Sequence, residues 1–404
     1  MKRKREAILY LGFALPEHIE KNVQRVDILP HLATWKYAWS VISVLKSGFR
    51  SVYIFSTAEV RNYPAVKKIV FSSEKFIIND TAGIVIGFIN LIGLKHVSRF
   101  VQVLLRIPWF VKKNKIKNII VHGTHTPFML IAILAKYIFG LRLVIILTDQ
   151  HGKEVVSDGK IGKVLRKIDT MLMRFLLNRF DAYICLSVMF VKRFNLFPYL
   201  VLPGILSNKF KSSVLRNYNR PQLQKYFVIV YAGGVNRNNG VDLLISSLKY
   251  LKDKNILIKI YGGGDMVQDV IDMSENDNRL LYGGVLYDDE FVSALKNADL
   301  LVNPRPIHNE YAQTSFPSKL IEYMSTGVPV LTSRIVSIPK EIKDCFFYID
   351  GDDSKSIAKS LRIIKNLSQD ERLSVASRAA ETVNILYSEE VVGQKISDFI
   401  MSIG

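Results

Sequence analysis

Cysteine is scarce in this chain of 404 residues, which has only Cys185 and Cys345 and no CxxC pair. Two cysteines cannot form a disulfide framework, so a secreted, disulfide-stapled protein is excluded and a reducing compartment is expected. The HExxH, Walker A and GxSxG motifs are also absent, as is any cluster of histidine and cysteine. The sequence therefore lacks the signatures of a zinc protease, a P-loop nucleotidase and a serine hydrolase.

A hydrophobic run long enough to cross a membrane is missing as well. The most apolar region, Pro127 to Leu147, is interrupted by Lys136 and Arg142, and its Gly140 is a turn signal between a helix and a strand. At the N-terminus, KRKR precedes an apolar run that is short for a signal peptide, and EHIEK stands where small residues would mark cleavage. We therefore expect a first strand from Ile8 to Phe13 instead of a signal segment.

Acidic residues are few in the first half of the chain. Residues 1–200 hold 31 lysines and arginines against 12 aspartates and glutamates, whereas residues 201–404 hold 24 of each. The net charge of +19 therefore belongs to the first half, and such a one-sided positive field attracts nucleic acid or anionic lipid. No helix-turn-helix, zinc or RNA-binding motif accompanies the charge, so nucleic acid is not an expected partner.

Two basic segments lie within this half. Gly83 to Phe110 is apolar with interspersed cations and an aromatic end, which predicts a basic amphipathic helix suited to an anionic membrane surface. Lys160 to Arg179 repeats the pattern. Ordinary solvated helix faces are the alternative for either segment alone. The predicted membrane-facing residues are Lys95, Arg99, Arg106, Lys112, Lys113, Lys163 and Lys167.

Alternating strands and helices predict an α/β fold. Runs rich in valine and isoleucine suit parallel strands buried on both faces, and the helical patterns between them form βαβ units. A Pro-Gly turn near Leu202 and the polar stretch from Lys211 to Gln224 mark a domain boundary. We predict two Rossmann-like, doubly wound parallel-sheet domains facing a cleft, over residues 1–203 and 204–385. A C-terminal helix over residues 386–404 is expected to pack back on the first domain.

Three glycine turns in the second half each follow a strand and precede a helix. They are Gly233-Gly234, Gly262-Gly263-Gly264 and Gly283-Gly284. Each turn alone is weak evidence, because glycine also merely eases a tight turn. Turns in successive βα units should open on one edge of the sheet, where backbone N–H groups can approach a phosphate.

The stretch FPSKLIEYMSTGVPVL, from Phe316 to Leu331, is the most specific signal. Pro317 suits the first turn of a helix, and Gly327 suits its end before another strand. Hydroxyls, free N–H groups and an ammonium around the helix start predict a diphosphate site. Glu322 can accept hydrogen bonds from ribose hydroxyls, the alternative being an ordinary surface carboxylate. The residues around the helix start are Thr314, Ser315, Ser318 and Lys319.

On these motifs the chain resembles the retaining GT-B glycosyltransferases of family 4, which include group 1 enzymes of bacterial surface polysaccharides. The resemblance covers most of Val228 to Leu361, through YAGGVNRNNGVDLLISSL, IKIYGGGD, LLYGGVLYDDEFVSALKNADLLVNPR and SFPSKLIEYMSTGVPVLTS. The first half is loosely similar, at HGTHTPFMLIAILAKYIFG, LTDQHG, DAYICLS and VLPGI. The resemblance implies a GT-B fold, a nucleotide-sugar donor and transfer with retention of configuration.

The family's donor-binding residues are only partly present in this sequence. Glu322 matches the ribose-binding glutamate, but Thr314 replaces the glutamate eight positions earlier. Thr314 can hydrogen-bond a sugar hydroxyl without supplying charge. Gly234 and Asn239 stand where the family usually has an arginine and a lysine that neutralise the diphosphate.

We expect Arg237, in the same loop, and Lys319 to replace the missing cations. Backbone groups around Gly283 to Leu286 are expected to contact the base. The predicted donor-binding residues are Gly233, Gly234, Arg237, Gly263, Gly283, Val285, Leu286, Ser315, Phe316, Ser318 and Glu322.

His151, in LTDQHG, matches the family's interdomain histidine near the transferred sugar. A lone histidine after a strand is otherwise usually structural. Asp149 and His125 are weaker candidates, and Gly12 would let the acceptor-side loop approach the donor. The predicted catalytic residues are His151, Thr314 and Lys319, and the predicted acceptor-side residues are Gly12 and Asp149.

Neither a metal nor a cofactor is expected. Asp350-Gly351-Asp352 formally matches a metal-binding Asp-x-Asp, but it precedes a helix, where acidic residues cap the helix and complement its dipole. Dipoles and cations would instead stabilise the departing diphosphate.

The predicted function is transfer of a sugar from a nucleotide sugar to a lipid-linked saccharide acceptor in bacterial surface polysaccharide synthesis. The expected location is the cytoplasm, at the inner face of the cell membrane. One alternative is a nucleotide-sugar epimerase or hydrolase on the same fold, which needs acid/base carboxylates in the cleft. Another is a non-catalytic scaffold, favoured by the replacements at Thr314, Gly234 and Asn239.

Overall fold

The computed structural model describes residues 6–27, 32–148, 160–206, 226–308 and 316–403. Contacts between residues divide the chain into two compact units. Unit 1 comprises Met1–Leu186, Val191–Leu202 and Val392–Gly404, and unit 2 comprises Ser187–Phe190 and Pro203–Val391.

Unit 1 is built on a mostly parallel sheet. Its strands are β1 (Ala7–Gly12), β2 (Ser51–Ser56), β3 (Val70–Phe71), β4 (Glu74–Ile78), β5 (Thr81–Val85), β6 (Phe88–Ile89), β7 (Asn118–His122), β8 (Arg142–Leu147), β9 (Ala182–Cys185) and β10 (Tyr199–Val201). Eight of them form one sheet in the order β10-β9-β8-β7-β1-β2-β5-β4, in which only the edge strand β4 is antiparallel to its neighbour. The short strands β3 and β6 pair separately.

Helices cover both faces of this sheet. They are α1 (Glu17–Val26), α2 (Leu32–Gly48), α3 (Leu94–Leu104), α4 (Ile107–Asn114), α5 (Thr126–Phe139) and α6 (Lys160–Leu177). The next helix, α7 (Val188–Phe194), belongs to unit 1 only from Val191 onward. Crossovers between parallel strands are right-handed, so the direction of a crossover along the sheet decides which face its helix covers. The chain moves from β1 to β2 through α1 and α2, which therefore lie on one face. It moves in the opposite direction from β7 to β8 and β9 through α5 and α6, which therefore lie on the other face. On that second face α5 packs against both α3 and α6.

Unit 2 has a fully parallel sheet. Its strands are β11 (Phe227–Ala232), β12 (Ile256–Tyr261), β13 (Leu280–Tyr282), β14 (Leu300–Asn303), β15 (Val330–Ser333) and β16 (Phe347–Ile349), in the order β13-β12-β11-β14-β15-β16. The strand order reverses direction at β11, which pairs with β12 on one side and β14 on the other. Open α/β sheets bind ligands at the carboxyl ends of the strands beside such a switch point.

The helices of unit 2 pack on both faces of its sheet, over two hydrophobic clusters. They are α8 (Val241–Ser246), α9 (Val267–Asn276), α10 (Asp288–Lys296), α11 (Lys319–Ser325), α12 (Ser354–Asn366) and α13 (Gln369–Tyr387). Asp353 caps α12 through the Ser356 amide, and a capping box of Ser368 and Glu371 begins α13.

The last helix, α14 (Glu389–Ser402), belongs to unit 1 from Val392 onward. It packs closely on α2, because a Cβ on Gly393 would lie only 2.6 Å from the carbonyl oxygen of Val44 and 1.9 Å from Ser47 Oγ. Glycine therefore permits the two helices to approach each other at this point.

The sheets confirm the predicted α/β class with parallel, Rossmann-like domains. One interpretation of the sequence was wrong: Gly83 to Phe110 does not form a single amphipathic helix. Its first part supplies β5 and β6, and only its later part forms α3 and the start of α4. Among the described residues, no helix combines the length and hydrophobicity that a membrane span needs.

Candidate functional site

The three glycine turns of unit 2 lie side by side at the carboxyl ends of β11, β12 and β13. The Gly233 amide donates to the Tyr261 carbonyl at 2.9 Å, the Val235 amide to Gly263 at 2.8 Å, and the Gly262 amide to Gly284 at 2.8 Å. A Cβ on Gly262 would lie 1.9 Å from the Gly233 carbonyl oxygen. These glycines therefore let adjacent turns stack at the edge of the sheet that binds ligands in such folds.

Lys319 reaches into the first of these turns. A Cβ on Gly233 would lie 1.7 Å from Lys319 Nζ, so the ammonium occupies the space that a side chain would fill. Lys319 Nζ donates to Tyr231 Oη at 3.2 Å and lies 4.5 Å from the centre of that ring. Tyr231 Oη in turn donates to the Gly234 carbonyl at 2.7 Å. Strand β11 and its turn thus fix the position of the Lys319 ammonium.

The surroundings of Lys319 weaken its positive charge. The pKa of Lys319 is lowered to about 7, chiefly by burial and then by the nearby Arg305 guanidinium, while Glu322 acts in the opposite sense. An ammonium that is costly to keep charged gains most from an anion placed beside it. The electrostatics of this position therefore favour an anion beside Lys319.

Tyr323, which follows Glu322, anchors α11 to β11. Tyr323 Oη accepts from the Ala232 amide at 2.8 Å and donates to the Ala232 carbonyl at 3.0 Å. Both groups belong to the last residue of β11, and the Tyr323 side chain is fully buried. This contact sets the position of α11, and therefore of Lys319 and Glu322, against the glycine turn.

Arg305 is a cation of this site that the sequence interpretation missed. It follows β14, is only 4% exposed, and donates through Nη2 to Asn239 Oδ1 at 3.2 Å. Asn239 occupies the position of the missing loop lysine. A Cβ on Gly240 would lie 1.8 Å from the Pro304 carbonyl oxygen, so the loops after β11 and β14 touch. The sequence signal was that Pro304 and Arg305 directly follow the apolar run Leu300–Asn303, which predicts a strand of the same sheet.

The other donor-side residues lie around this centre. Arg237 is exposed in a short 3₁₀ helix, Arg237–Asn239, of the loop after β11. Val285 is exposed, and its Cγ2 atom would lie 3.9 Å from a Cβ on Gly263, so it is next to the second glycine turn. Phe316 is buried in the core of unit 2, so its ring does not face a ligand. Gly283, Leu286, Ser318 and Glu322 are partly or fully exposed.

Several predicted residues lie outside the described part of the chain, namely Asp149, His151, Thr314 and Ser315. Gly12, in unit 1, ends β1, and a Cβ there would lie 2.5 Å from Tyr10 Oη. Tyr10 Oη and His122 Nδ1 share a hydrogen bond of 2.5 Å, and burial lowers the pKa of His122 to about 4. The small size of Gly12 thus accommodates a buried Tyr10–His122 pair.

The predicted membrane-facing lysines and arginines divide into two groups. Lys112, Lys113 and Lys167 are exposed, and Arg106 is half-buried. The prediction was wrong for Lys95 and Arg99, which are 6% and 3% exposed. The backbone of Lys163 lies in α6.

Lys95 and Arg99 point inward because the loop after β2 supplies acceptors for them. Lys95 Nζ donates to the Val60 carbonyl and to Asn62 Oδ1, and Arg99 donates to the Ala58 carbonyl. The Arg99 guanidinium also stacks 4.0 Å from the centre of the Phe88 ring. Burial lowers the pKa of Lys95 to about 7 and that of Arg99 to about 9.

Within the described residues, no group of three or more histidine, cysteine, aspartate or glutamate side chains can hold a metal ion. In the Asp350-Gly351-Asp352 sequence, Asp352 accepts from the Ile307 amide at 2.8 Å and Asp350 pairs with Arg334 at 3.3 Å. Metal-independent chemistry stays a prediction.

The C-terminal part of the chain matches a known family. Residues 217–382 match the family model for glycosyl transferases group 1. This group 1 glycosyltransferase domain contains the three glycine turns, Arg305, Lys319 and Glu322. The site described above therefore lies within the part of the chain that matches a glycosyltransferase family.

A curated relative points the same way. WcaL of Escherichia coli (strain K12), whose name describes a colanic acid biosynthesis glycosyltransferase, is 20% identical over 182 residues. The matched region spans 43% of this chain and 45% of that protein, so less than half of the relative is matched.

Solved structures resemble the whole chain. Sucrose-phosphate synthase from Thermosynechococcus elongatus has a TM-score of 0.67 at 14% identity over 99% of both chains. HepE from Anabaena, solved with UDP and glucose, has a TM-score of 0.65 at 16% identity, over 98% of this chain and 100% of that one. The lipopolysaccharide outer core galactosyltransferase WaaB has a TM-score of 0.63 at 14% identity, over 98% and 99%. These likenesses establish the GT-B fold.

Proposed function

We propose that the protein is a glycosyltransferase that moves a sugar from a nucleoside-diphosphate sugar to a saccharide acceptor. The observation that carries the proposal is the pair of cations, Lys319 and Arg305, beside the glycine turn at Gly233. A diphosphate leaving group needs such charge, and the turn adds backbone N–H groups. The group 1 family match over residues 217–382 and a UDP-bound structural neighbour support the same assignment.

The two cations would act on the departing diphosphate. Tyr231 and the Gly233 turn hold the Lys319 ammonium in place, so its position is fixed before the donor binds. The ammonium gains a full charge when the diphosphate arrives, and it keeps that charge while negative charge builds up on the leaving oxygen. Arg305 would supply the charge that Asn239 cannot. Glu322, on α11, would bind the ribose hydroxyls.

The finer parts of the proposal concern the reaction and its setting. Family 4 membership, with retention of configuration and no metal ion, follows the resemblance of the 316–331 stretch. His151 and Thr314 are proposed to act near the transferred sugar, with Gly12 and Asp149 on the acceptor side. A lipid-linked acceptor at the inner face of the cell membrane agrees with the basic first half and with relatives named for surface polysaccharides.

Sugar transfer provides the test of this function. Full-length protein is incubated with radiolabelled UDP-, GDP- and ADP-sugars and a bacterial lipid extract, and label is counted in the lipid fraction. The proposal predicts label from one class of donor, with its loss in the Lys319→Ala variant. Label in free sugar without any acceptor would support the epimerase or hydrolase alternative instead. Failure to bind any nucleotide would support the non-catalytic scaffold.

A further inference from the structure

We propose that the outer face of α3, α5 and α6 in unit 1 docks on an anionic lipid bilayer, with apolar side chains entering the interface. This outer face is called the apolar face below. The inference rests on the proposed function only for the biological purpose of docking, which is access to a lipid-linked acceptor. The physical argument comes from the exposure and charge of these helices.

Exposed apolar side chains follow the helical repeat on two of the three helices. On α6, Val164, Ile168, Met171 and Phe175 are between 57% and 72% exposed. Their spacing of four, three and four residues places them on one side of the helix. On α3, Leu94, Val97, Val101 and Leu104 form a similar stripe, between 37% and 56% exposed. Because α5 packs between α3 and α6, the two stripes belong to one layer of helices.

The polarity of α3 is inverted relative to a helix that faces water. Its cations, Lys95 and Arg99, are buried, whereas Val97 and Val101 on its outer side are exposed. A helix on the surface of a water-soluble domain normally places the apolar stripe inward. This arrangement costs free energy unless the outer side meets an apolar environment.

The exposure is concentrated in this part of the molecule. Among the described residues, 28 large hydrophobic side chains are exposed, and 14 of them lie between Ile92 and Phe175. Tyr137 and Ile138 near the end of α5 are 66% and 65% exposed, and Trp109 on α4 is 63% exposed. Aromatic side chains with a polar group are favoured at a membrane interface. Contiguous apolar surface of this kind marks an interaction site.

Charge identifies the partner as an anionic bilayer. Residues 81–148 contain nine lysines and arginines and no aspartate or glutamate. Exposed cations lie on α6 or close to these helices in the chain, at Lys112, Lys113, Lys167, Arg174 and Arg179. Lys112 lies over the Phe139 ring of α5, and Arg179 over the Phe175 ring of α6. The acidic residue on α6, Asp169, accepts from Thr126 Oγ1 at the start of α5. Two copies of so basic a surface would repel each other, whereas anionic headgroups attract it.

Vesicle binding tests this inference on the full-length protein. Binding is measured by co-sedimentation with vesicles of phosphatidylcholine alone and of phosphatidylcholine mixed with phosphatidylglycerol. Two variants remove apolar surface without changing charge, Val97→Ser with Val101→Ser on α3, and Ile168→Ser with Met171→Ser on α6. The matched control is Ile363→Ser with Ile385→Ser, which removes two side chains of unit 2 that are 52% and 59% exposed.

We expect the wild-type protein and the control to bind the mixed vesicles and each apolar-face variant to bind them about tenfold more weakly. Emission from Trp109 should shift to shorter wavelength on binding, because its exposed ring enters the interface. Absence of binding to mixed vesicles, equal binding to neutral vesicles, or equal loss in the control would overturn the inference. So would a lipid-free dimer that both apolar-face variants abolish, since a second copy would then cover the face.

Nucleotide titration of the same preparations separates this inference from the proposed function. Vesicle binding without any nucleotide binding would retain the membrane surface and reject the transferase. Nucleotide binding without vesicle binding would retain the proposed transferase and reject the membrane surface. Unchanged nucleotide affinity in the variants would also show that they are folded.

Discussion

At the scale of single residues, the candidate site is characterised by the cations that lie beside the glycine turn at Gly233. The sequence predicted Lys319 and Arg237, and the structure brings Lys319 against Gly233 while Arg237 stays exposed. Arg305 was not predicted, because its contact with Asn239 depends on the close approach of Gly240 to Pro304. Such a contact between two loops leaves no periodic signal in a sequence.

Arg305 should contribute more to donor affinity than Arg237 does. A hydrogen bond to a charged phosphate is worth about 1.5–3 kcal/mol, so Arg305→Ala should weaken nucleoside-diphosphate binding by roughly ten- to a hundredfold. The exposed Arg237 should give a smaller loss when replaced by alanine, because water screens its charge. Calorimetric titration of both variants checks this order, and the reverse order would restore Arg237 as the principal replacement.

Donor binding should depend on pH through Lys319. The pKa of Lys319 is lowered to about 7 in the unliganded protein, chiefly by burial, and a bound diphosphate would raise it. Binding therefore takes up a proton above pH 7, and the affinity should fall as the pH rises from 7 to 9. Diphosphate affinity is measured across this range in wild type and in Lys319→Arg, whose charge does not titrate there. A profile equally steep in both proteins would contradict this role.

His122 should make unit 1 sensitive to acid. Burial lowers its pKa to about 4 in the folded protein, against 6.5 when unfolded, so the unfolded chain binds the extra proton between these values. The free energy of unfolding that neutral His122 contributes is fully present above pH 6.5. It is lost as the pH falls towards 4, by up to about 3 kcal/mol. Urea denaturation at pH 7 and pH 4.5 should show a smaller drop in stability for His122→Gln than for wild type. Equal drops would show that other groups dominate.

At the scale of elements, the sequence defined the sheet of unit 2 closely. The apolar runs predict strands with the bounds observed for β11, β12, β13 and β14, because each run is closed by glycine, proline or polar residues. These runs are Phe227–Ala232, Ile256–Tyr261, Leu280–Tyr282 and Leu300–Asn303. In unit 1 the same signals predict β1, β2, β7, β8 and β9 to within one residue at each end. The predicted strands are Ile8–Phe13, Val52–Phe55, Asn118–His122, Leu143–Thr148 and Ala182–Leu186.

The prediction from sequence was wrong where charged side chains were assumed to be exposed. Lys95 and Arg99 suggested a polar outer side for α3, yet carbonyl oxygens of the loop after β2 satisfy them in the interior. Only the tertiary fold brings that loop to the helix. Asp149, His151, Thr314 and Ser315 lie outside the described residues, so their roles stay predictions.

The junction of α11 with β11 gives a prediction at this scale. Tyr323→Phe removes one hydroxyl that both accepts from and donates to the buried backbone of Ala232. Leaving a buried polar group without its partner costs about 1–3 kcal/mol, so the free energy of unfolding should fall by at least that amount. Denaturant unfolding measures it, with Tyr250→Phe, whose residue is 47% exposed, as the control. No difference between the two variants would mean that α11 is held in place by packing alone.

At the scale of the whole molecule, chemistry and charge are distributed between the two units. Unit 2 carries the glycine turns, Lys319 and Arg305 within a group 1 glycosyltransferase domain. Unit 1 holds most of the basic first half and the exposed apolar side chains of α3 and α6. On the proposed function, unit 2 would bind the nucleotide and unit 1 the acceptor.

The most direct test of the central claim compares a nucleoside diphosphate with its monophosphate. Calorimetry identifies which of UDP, GDP and ADP the wild-type protein binds, and the matching monophosphate is then titrated. We predict that the wild type prefers the diphosphate at least tenfold, and that Lys319→Ala combined with Arg305→Ala loses this preference while its monophosphate affinity is unchanged. An unchanged preference in the double variant, or no binding of any nucleotide by the wild type, would contradict the account.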